Sequence, residues 1–364
     1  MRFALILAGG SGVRLWPVSR KSTPKQLLPV IDGKSLLRLA WERLDGLTPC
    51  SHRLVCASEQ HRRRILEALP DLSGDRFLGE PVGRDTLNAV GFGAAIIARE
   101  DPEAVIAVLT ADHIIQPVET FRRILARGFD VVERSPQTLV TFGIAPDHPA
   151  TGYGYLELGS ELEPEVWVVN QFREKPDAAT ARRFFEAGPQ RYLWNSGMFV
   201  WRARTLLDCI RRYAPESFQG LSEIAAAWET SERDKLLGEI YPTLPKISVD
   251  FAVMEPASRD PAVRVAAVAM PLEWLDIGSW PAFAKTCRKD EKGNALAAAR
   301  HVLEDTCGVL VVSTDPQHLI STIGCRDLII VHTPDATLIC RADQAEAVKK
   351  LQQEVARLYG DEYL

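Results

Sequence analysis

Residues 3–17 read Phe-Ala-Leu-Ile-Leu-Ala-Gly-Gly-Ser-Gly-Val-Arg-Leu-Trp-Pro. The apolar run 3–8 predicts a buried strand, and Gly9, Gly10 and Gly12 end it in a tight loop. Glycines allow positive φ and bring backbone N–H groups to a ligand with no Cβ in the way. A nest of such N–H groups binds anions. Charge points the same way: residues 1–31 hold no Asp or Glu, yet Arg14, Arg20, Lys21 and Lys25 fall there, in a chain of net charge −5. The stretch reads as a phosphate-gripping loop, against the plainer alternative of an ordinary strand-to-helix turn. Two other glycine loops are excluded. A dinucleotide fingerprint places a third glycine where Leu15 stands, and a Walker loop needs Gly-Lys-Ser/Thr where Gly12-Val13 stands.

Working outward, strands alternate with helices. Strands are predicted over 52–57, 76–80, 104–109, 138–144, 166–172 and 263–269, and helices over 35–47, 59–69, 87–99, 121–132 and 177–187. Residues 203–240 read as helices broken near Pro215 and again near Thr230-Ser231. Alternation of this kind implies an α/β fold: a Rossmann-like, mixed, mostly parallel sheet flanked by helices, with ligands beyond the carboxyl ends of the strands. The glycine loop and Asp112, which ends the run Val-Leu-Thr-Ala, both fall at that edge. Asp112 fits a helix N-cap as well as a metal ligand. Arg62-Arg63-Arg64 reads as a solvated helix face.

Beyond about residue 288 the pattern changes to short β-rich pieces separated by Gly, Asp and Pro, closed by a polar amphipathic helix over 343–359. The expected organisation is a domain over 1–287 and a small one over 294–364. No strict hexapeptide repeat is present in the second. Its exposed strand edges offer a route to a homodimer.

Bulk composition narrows the function. Hydrophobic residues make up 46% and charged residues 25% of 364, ordinary for a globular protein. The acidic balance disfavours nucleic acid as a partner. No apolar run approaches the ~20 residues of a membrane helix, and the short apolar start followed by glycines and Arg14 does not make a signal peptide. Seven scattered cysteines form no Cys-x-x-Cys and no Cys/His cluster, which fits reduced thiols in the cytoplasm.

The string Leu7-Ala8-Gly9-Gly10-Ser11-Gly12-Val13-Arg14-Leu15-Trp16-Pro17, with Pro24-Lys25-Gln26-Leu27-Leu28-Pro29 after it, closely resembles the signature of the sugar-1-phosphate nucleotidyltransferases, and among them the mannose-1-phosphate guanylyltransferases. Further resemblance runs through Ala111-Asp112-His113, Thr151-Gly152-Tyr153-Gly154-Tyr155, Glu174-Lys175-Pro176, Trp194-Asn195-Ser196-Gly197, Ser248-Val249-Asp250 and Trp274-Leu275-Asp276-Ile277-Gly278. It implies transfer of a guanylyl group from GTP to mannose 1-phosphate, giving GDP-mannose and pyrophosphate. It implies that Leu7, Gly9, Gly10, Ser11, Gly12, Arg14, Lys25, Asp85, Asn88 and Asp112 bind nucleotide. Gly154, Glu174, Lys175 and Asn195 would bind the sugar phosphate, and Asp112 and Asp276 would hold Mg²⁺, the metal that hard oxygen ligands select. Arg14, Lys25 and Lys175 would be catalytic. The resemblance also implies a left-handed β-helix for the C-terminal part.

Departures from the family pattern keep alternatives open. Asp85 stands where the family has asparagine, and Leu87-Asn88-Ala89 replaces Ala-Pro-Ala. A carboxylate there would repel phosphates but could accept hydrogen bonds from a guanine edge. A different sugar or base remains an alternative, as does a silent nucleotide-sugar-binding homologue; retention of the acids and cations speaks against the latter. The string Trp194-Asn195-Ser196-Gly197 is equally open to a hairpin turn.

Overall fold

The structure is a computed structural model that describes residues 1–364 other than Ser11 and Asp32. The chain divides into two compact units. One comprises 1–9, 40–111 and 115–274; the other 10–39, 112–114 and 275–364.

The larger unit is built on a nine-stranded sheet: β1 (Arg2–Leu7), β2 (Arg53–Ser58), β3 (Phe77–Glu80), β4 (Val105–Thr110), β5 (Thr138–Ile144), β6 (Tyr155–Glu163), β7 (Val166–Arg173), β8 (Tyr192–Arg202) and β9 (Arg264–Ala269). Their order is β3-β2-β1-β4-β8-β5-β9-β7-β6, and β8 also pairs with β6. Strands β1 to β4 form a parallel half in which Leu5 lies beside Leu54 and Val108. β8 enters antiparallel between β4 and β5, and β7 runs antiparallel to its neighbours, while β5 and β9 are parallel. Every strand of this sheet other than β7 and β8 therefore runs in one sense, as the alternation of strands and helices predicts.

Helix α1 (Asp85–Glu100) is buried from Leu87 to Ile97, and its glycines explain how it packs so deeply. A Cβ at Gly93 would meet Leu5 Cδ2 at 2.4 Å, and one at Gly91 would meet Leu221 Cδ1 at 2.6 Å. Helix α2 (Val118–Arg134) instead buries one stripe, Phe121, Ile124, Leu125, Phe129 and Val132. The broken helical region resolves into Ala203–Tyr213, Pro215–Ala226 and Arg233–Ile240. Two expected helices come out shorter. The one over 35–47 is helical only at Leu36–Glu42, because Asp45-Gly46 follows and Gly46 takes φ 80°. The one over 59–69 begins as a 3₁₀ turn, Glu59–His61, before Arg62–Ala68. Arg62 and Arg63 pair with Glu59 and Glu67 on its exposed face.

Asn195-Ser196-Gly197 is not a hairpin. β8 continues through it, with Gly197 at φ 71° and a register shift between Asn195 and Phe199. This is a bulge, which re-aims the side chains around it.

In the second unit, β10 (Ala295–Ala297), β12 (Leu310–Ser313) and β14 (Leu328–Thr333) stack in parallel, with β15 (Ala336–Arg341) closing antiparallel on β14. In a separate two-stranded ladder β11 (Arg300–Glu304) lies parallel to β13 (Leu319–Ile323). Successive coils place Ala295 beside Leu310 and Leu310 beside Ile329. Parallel ladders reached by chain return, without helices between them, make a β-helix-like body. Its core joins Leu310, Ile329, Val331 and Leu338 to Leu15, Trp16, Leu28 and Leu36 of the N-terminal segment, and to Ile277 and Trp280.

Candidate active site

The glycine loop belongs to the second unit from Gly10 onward. Gly10 has φ 100° and Gly12 φ 58°. At Gly12 a Cβ would also meet Ser19 Oγ at 2.6 Å and Lys25 Cβ at 2.9 Å, so glycine is required there twice over. Ser11 lies outside the described residues. The 3₁₀ turn Val13–Leu15 then presents Arg14 to solvent and buries Leu15. Four cations mark this stretch, and the fold divides them. Arg20 pairs with Asp335 and Lys21 with Asp361, so these two tie the N-terminal segment to the C-terminal strands and tail. Arg14 pairs with Glu346 at 3.1 Å, with side chains 41% and 73% exposed.

Lys25 is different. It is buried, and its Nζ lies 2.8 Å from Asp112 Oδ2 and 3.3 Å from the carbonyl of Ile277, to which it donates. Ile277 in turn donates its backbone N–H to the Asp112 carbonyl at 3.0 Å, fixing Asp276 beside Asp112. His113 Nε2 is 3.6 Å from Asp112 Oδ1. One ligand atom each from Asp112, His113 and Asp276 falls within 4.8 Å of the others. Gly278 gives the cluster room, since a Cβ there would stand 3.0 Å from Arg14 Nη2 and 3.4 Å from Asp276 Oδ1. Two carboxylates and an imidazole converging beside a buried lysine and an arginine can hold a divalent cation. The oxygen donors favour a hard one.

The larger unit carries Leu7 and Gly9 at the end of β1, and two further clusters. In the first, buried Glu80 ends β3 and accepts from the Tyr241 hydroxyl at 2.7 Å. Burial pushes its carboxyl pKa up, and hydrogen bonds from Tyr241 and the Arg84 backbone oppose that. Those bonds anchor the segment that carries Asp85 and Asn88. Asp85 is exposed at φ 64° and accepts from the Thr86 N–H at 2.8 Å. Asn88 is fully buried and donates to the carbonyls of Arg84 (3.1 Å) and Pro245 (2.6 Å). Its amide braces α1 against the 245 segment and is turned away from solvent.

In the second cluster, Gly154 offers its carbonyl to the Asn195 N–H at 2.8 Å. A Cβ at Gly154 would stand 2.6 Å from Glu174 Oε2, so a glycine lets that buried carboxylate approach. Lys175 sits on Glu174 at 2.8 Å, in a left-handed backbone at φ 43°. Desolvation lowers its pKa, and Glu174, Asp250 and Asp85 together raise it above the usual lysine value. Asn195 Nδ2 donates to Asp250 Oδ1 at 2.8 Å, and Thr141 Oγ1 donates to Asn195 Oδ1 at 2.6 Å. Loss of hydration and then the Glu174 carboxylate push Asp250 up to about 7. Glu174 and Lys175 also line a cavity of 810 Å³ walled by Pro245, Ile247 and Phe251; Asn195 and Gly154 do not border it.

The family model described as "Nucleotidyl transferase" matches residues 3–293, a span that takes in the glycine loop, the acids and both lysines. The chain belongs to the nucleotidyl transferase family. A second model, "MannoseP isomerase/GMP-like beta-helix domain", matches residues 299–355 of this nucleotidyl transferase. Its relatives include the mannose-1-phosphate guanylyltransferase of Klebsiella pneumoniae, 34% identical over 370 residues that take in 100% of this chain and 76% of that protein. Another, of the same name, is from Escherichia coli, at 34% over 360 residues, 96% of this chain and 75% of that one. A solved structure called mannose-1-phosphate geranyltransferase, from Thermus thermophilus, superposes with TM-score 0.84 at 34% identity, covering 97% of this chain and 99% of that one.

The fold of this nucleotidyl transferase brings together Gly12, Lys25, Asp112 and Asp276 in one unit, and Gly154, Glu174, Lys175 and Asn195 in the other. Three functional candidates escape the sequence reading. His113 adjoins Asp112, and that adjacency is a usable signal. Asp250 lies inside a quoted motif without a role. Glu346 carries no local signal, since only the β-helix-like body brings it to Arg14.

Proposed function

We propose that this chain transfers the guanylyl group of GTP to mannose 1-phosphate, forming GDP-mannose and releasing pyrophosphate, with Mg²⁺ as the metal. The convergence of Asp112 and Asp276 beside Lys25 carries the reading, and likeness to mannose-1-phosphate guanylyltransferases over the whole chain supports it. A phosphate oxygen of the sugar phosphate attacks the α-phosphorus, and pyrophosphate leaves in line. Both reactants are polyanions, and at ~4 Å with an effective dielectric of ~20 each pair of unit charges costs about 4 kcal/mol. Catalysis is then a matter of cations and alignment. The attacking phosphate is already ionised, so no Ser-His-Asp or Cys-His base is needed.

The roles follow from chemistry. Leu7, Gly9, Gly10 and Gly12 bind the nucleotide, with Ser11 of the same sequence motif among the residues assigned to it. Arg14 and Lys25 neutralise the departing pyrophosphate. Lys25, held on Asp112 and the Ile277 carbonyl, is fixed in place before substrate arrives. Asp112 and Asp276 hold Mg²⁺, with His113 within reach; when bound, the ion neutralises phosphate charge and orients oxygens. Lys175 steadies the incoming phosphate, and Gly154, Glu174 and Asn195 meet the sugar hydroxyls. Asp85 faces the base. Its carboxylate opens α1, the end of a helix that attracts anions, so it takes the place a phosphate would otherwise favour. Asn88 supports that segment from below. In sequence terms 1–287 is the catalytic domain and 294–364 the β-helix-like one, in a cytoplasmic enzyme that pairs as a homodimer. Among the described residues no helix is long and apolar enough to cross a membrane.

Pyrophosphate release is measured with each of GTP, UTP, ATP and dTTP against mannose, glucose and fucose 1-phosphates. The expected result is turnover highest for GTP with mannose 1-phosphate. Turnover with UTP or another sugar ahead of that pair assigns the Asp85 departure to altered base or sugar choice, and absence of turnover with every pair refutes the reading.

A further inference from the structure

Asp250 has no assigned part in the reaction, yet it sits on a residue that does. It opens a π-helical turn, Asp250–Met254, a geometry that recurs at functional sites. Its Oδ1 accepts from Asn195 Nδ2 at 2.8 Å while Thr141 Oγ1 donates to Asn195 Oδ1 at 2.6 Å. The Asn195 side chain lies in the β8 bulge and is buried. An amide has two N–H donors and two oxygen lone pairs. Here one donor and one lone pair are taken, from opposite sides, by partners of opposite polarity.

We propose that Asp250 is a positioning residue for sugar recognition: with Thr141, it fixes which way round the Asn195 amide stands, and so whether a sugar hydroxyl meets a donor or an acceptor. The inference rests on the reading that Asn195 meets the sugar. Polarity decides the orientation. An ionised Asp250 can only accept, so the Asn195 nitrogen must face it and the oxygen must face Thr141. Thr141 has one proton and two acceptors in reach, Asn195 Oδ1 and the Met198 carbonyl at 3.1 Å. If Asp250 carries its proton on Oδ1 it becomes a donor. The amide can then turn over, the Asn195 nitrogen donating to Thr141 while Thr141 donates to Met198. Every hydrogen bond survives, but the face offered to the substrate is reversed. The charged groups that face Asp250 are Glu174, which raises its proton affinity, and Lys175, which lowers it; desolvation raises it further and brings the change near neutrality. Asp85 acts on the same cluster through Lys175.

The test varies mannose 1-phosphate at saturating GTP, in pyrophosphate-release assays between about pH 5.5 and about pH 8.5, for the wild type, Asp250→Asn and Thr141→Val. The wild-type KM for mannose 1-phosphate is expected to rise about tenfold from about pH 8 to about pH 6, the effect of losing one charge-assisted hydrogen bond. Asp250→Asn is expected to show an elevated KM that keeps only the pH change set by the substrate phosphate's own ionisation at about 6, with kcat and the KM for GTP within about threefold of wild type. Thr141→Val is expected to raise the same KM while keeping the pH dependence, and it carries the test if Asp250→Asn does not fold. A wild-type KM and pH profile in Asp250→Asn, an unchanged KM in Thr141→Val, or equal damage to the GTP constants overturns the inference. A wild type that releases no pyrophosphate from any pair overturns the parent reading, and this one with it.

Discussion

At Asp112 two demands meet in one carboxylate. Lys25 lies on one oxygen at 2.8 Å, and His113 lies 3.6 Å from the other. Lys25→Ala leaves Asp112 without its buried cation, so turnover should fall by about a hundredfold or more in a pyrophosphate-release assay, with melting temperature also lowered. Arg14 stands in a weaker bond. Its pair with Glu346 is largely exposed, and such pairs contribute about 0–1 kcal/mol, so a phosphate can displace the glutamate. Glu346→Gln should leave the melting temperature within about 1 °C and lower the KM for GTP by about two- to fivefold; a raised KM would contradict that account of Arg14. Asp250 gives a prediction in pH. Its carboxyl titrates at about 7 in the folded chain against an ordinary value of 3.8. Between those values the folded chain keeps a proton that the unfolded chain has released. Stability therefore falls as pH rises through that window, and is fully present below it. Asp250→Asn removes the effect, so the mutant's melting temperature should hold between about pH 5 and about pH 8 where the wild type's declines.

Local elements are legible wherever a side-chain pattern decides them. The apolar run ending in Gly9-Gly10 becomes β1, and the stripe Phe121, Ile124, Leu125 and Phe129 becomes α2. Gly46, by contrast, cuts short a helix whose leucine spacing runs on to Leu47. The bulge at Asn195-Ser196-Gly197 is open to a hairpin in sequence, because local turn chemistry is the same for both; what distinguishes them is that β8 pairs with β5 on both sides of the shift. The glycine loop offers a sharp test at this scale. Gly12→Ala must strain a backbone at φ 58° and push Lys25 Cβ from 2.9 Å. Circular dichroism melts should show a loss of about 1–3 kcal/mol, and pyrophosphate release should fall more than about tenfold, since Lys25 moves with the loop.

Over the whole molecule, the division into units is the least legible feature. Sequence composition changes near residue 288, but compactness is set by contacts between distant segments. Trp16 Nε1 donates to the Tyr363 carbonyl at 2.7 Å, Trp280 Nε1 donates to the Trp16 carbonyl at 3.0 Å, and Arg20 pairs with Asp335. No local pattern announces a tryptophan near the start bonding to a tyrosine near the end. A fragment of residues 1–293 would lose Leu310, Val312, Ile329, Val331 and Leu338 from the core around Leu15, Trp16 and Leu28. It should expose the glycine-loop segment to limited proteolysis and release no pyrophosphate; cooperative melting with full turnover would show that the β-helix-like body is dispensable to the loop. The central claim is that Asp112 and Asp276 act together on one divalent cation in guanylyl transfer. Its most direct test is pyrophosphate release from GTP and mannose 1-phosphate across a Mg²⁺ titration, in the wild type and in Asp276→Ala of confirmed unchanged melting temperature. The account predicts wild-type turnover that saturates with Mg²⁺ and is lost to a chelator, and at least about a hundredfold lower turnover in Asp276→Ala at every concentration. Wild-type turnover that ignores Mg²⁺, or an Asp276→Ala enzyme as active as its parent, would contradict it.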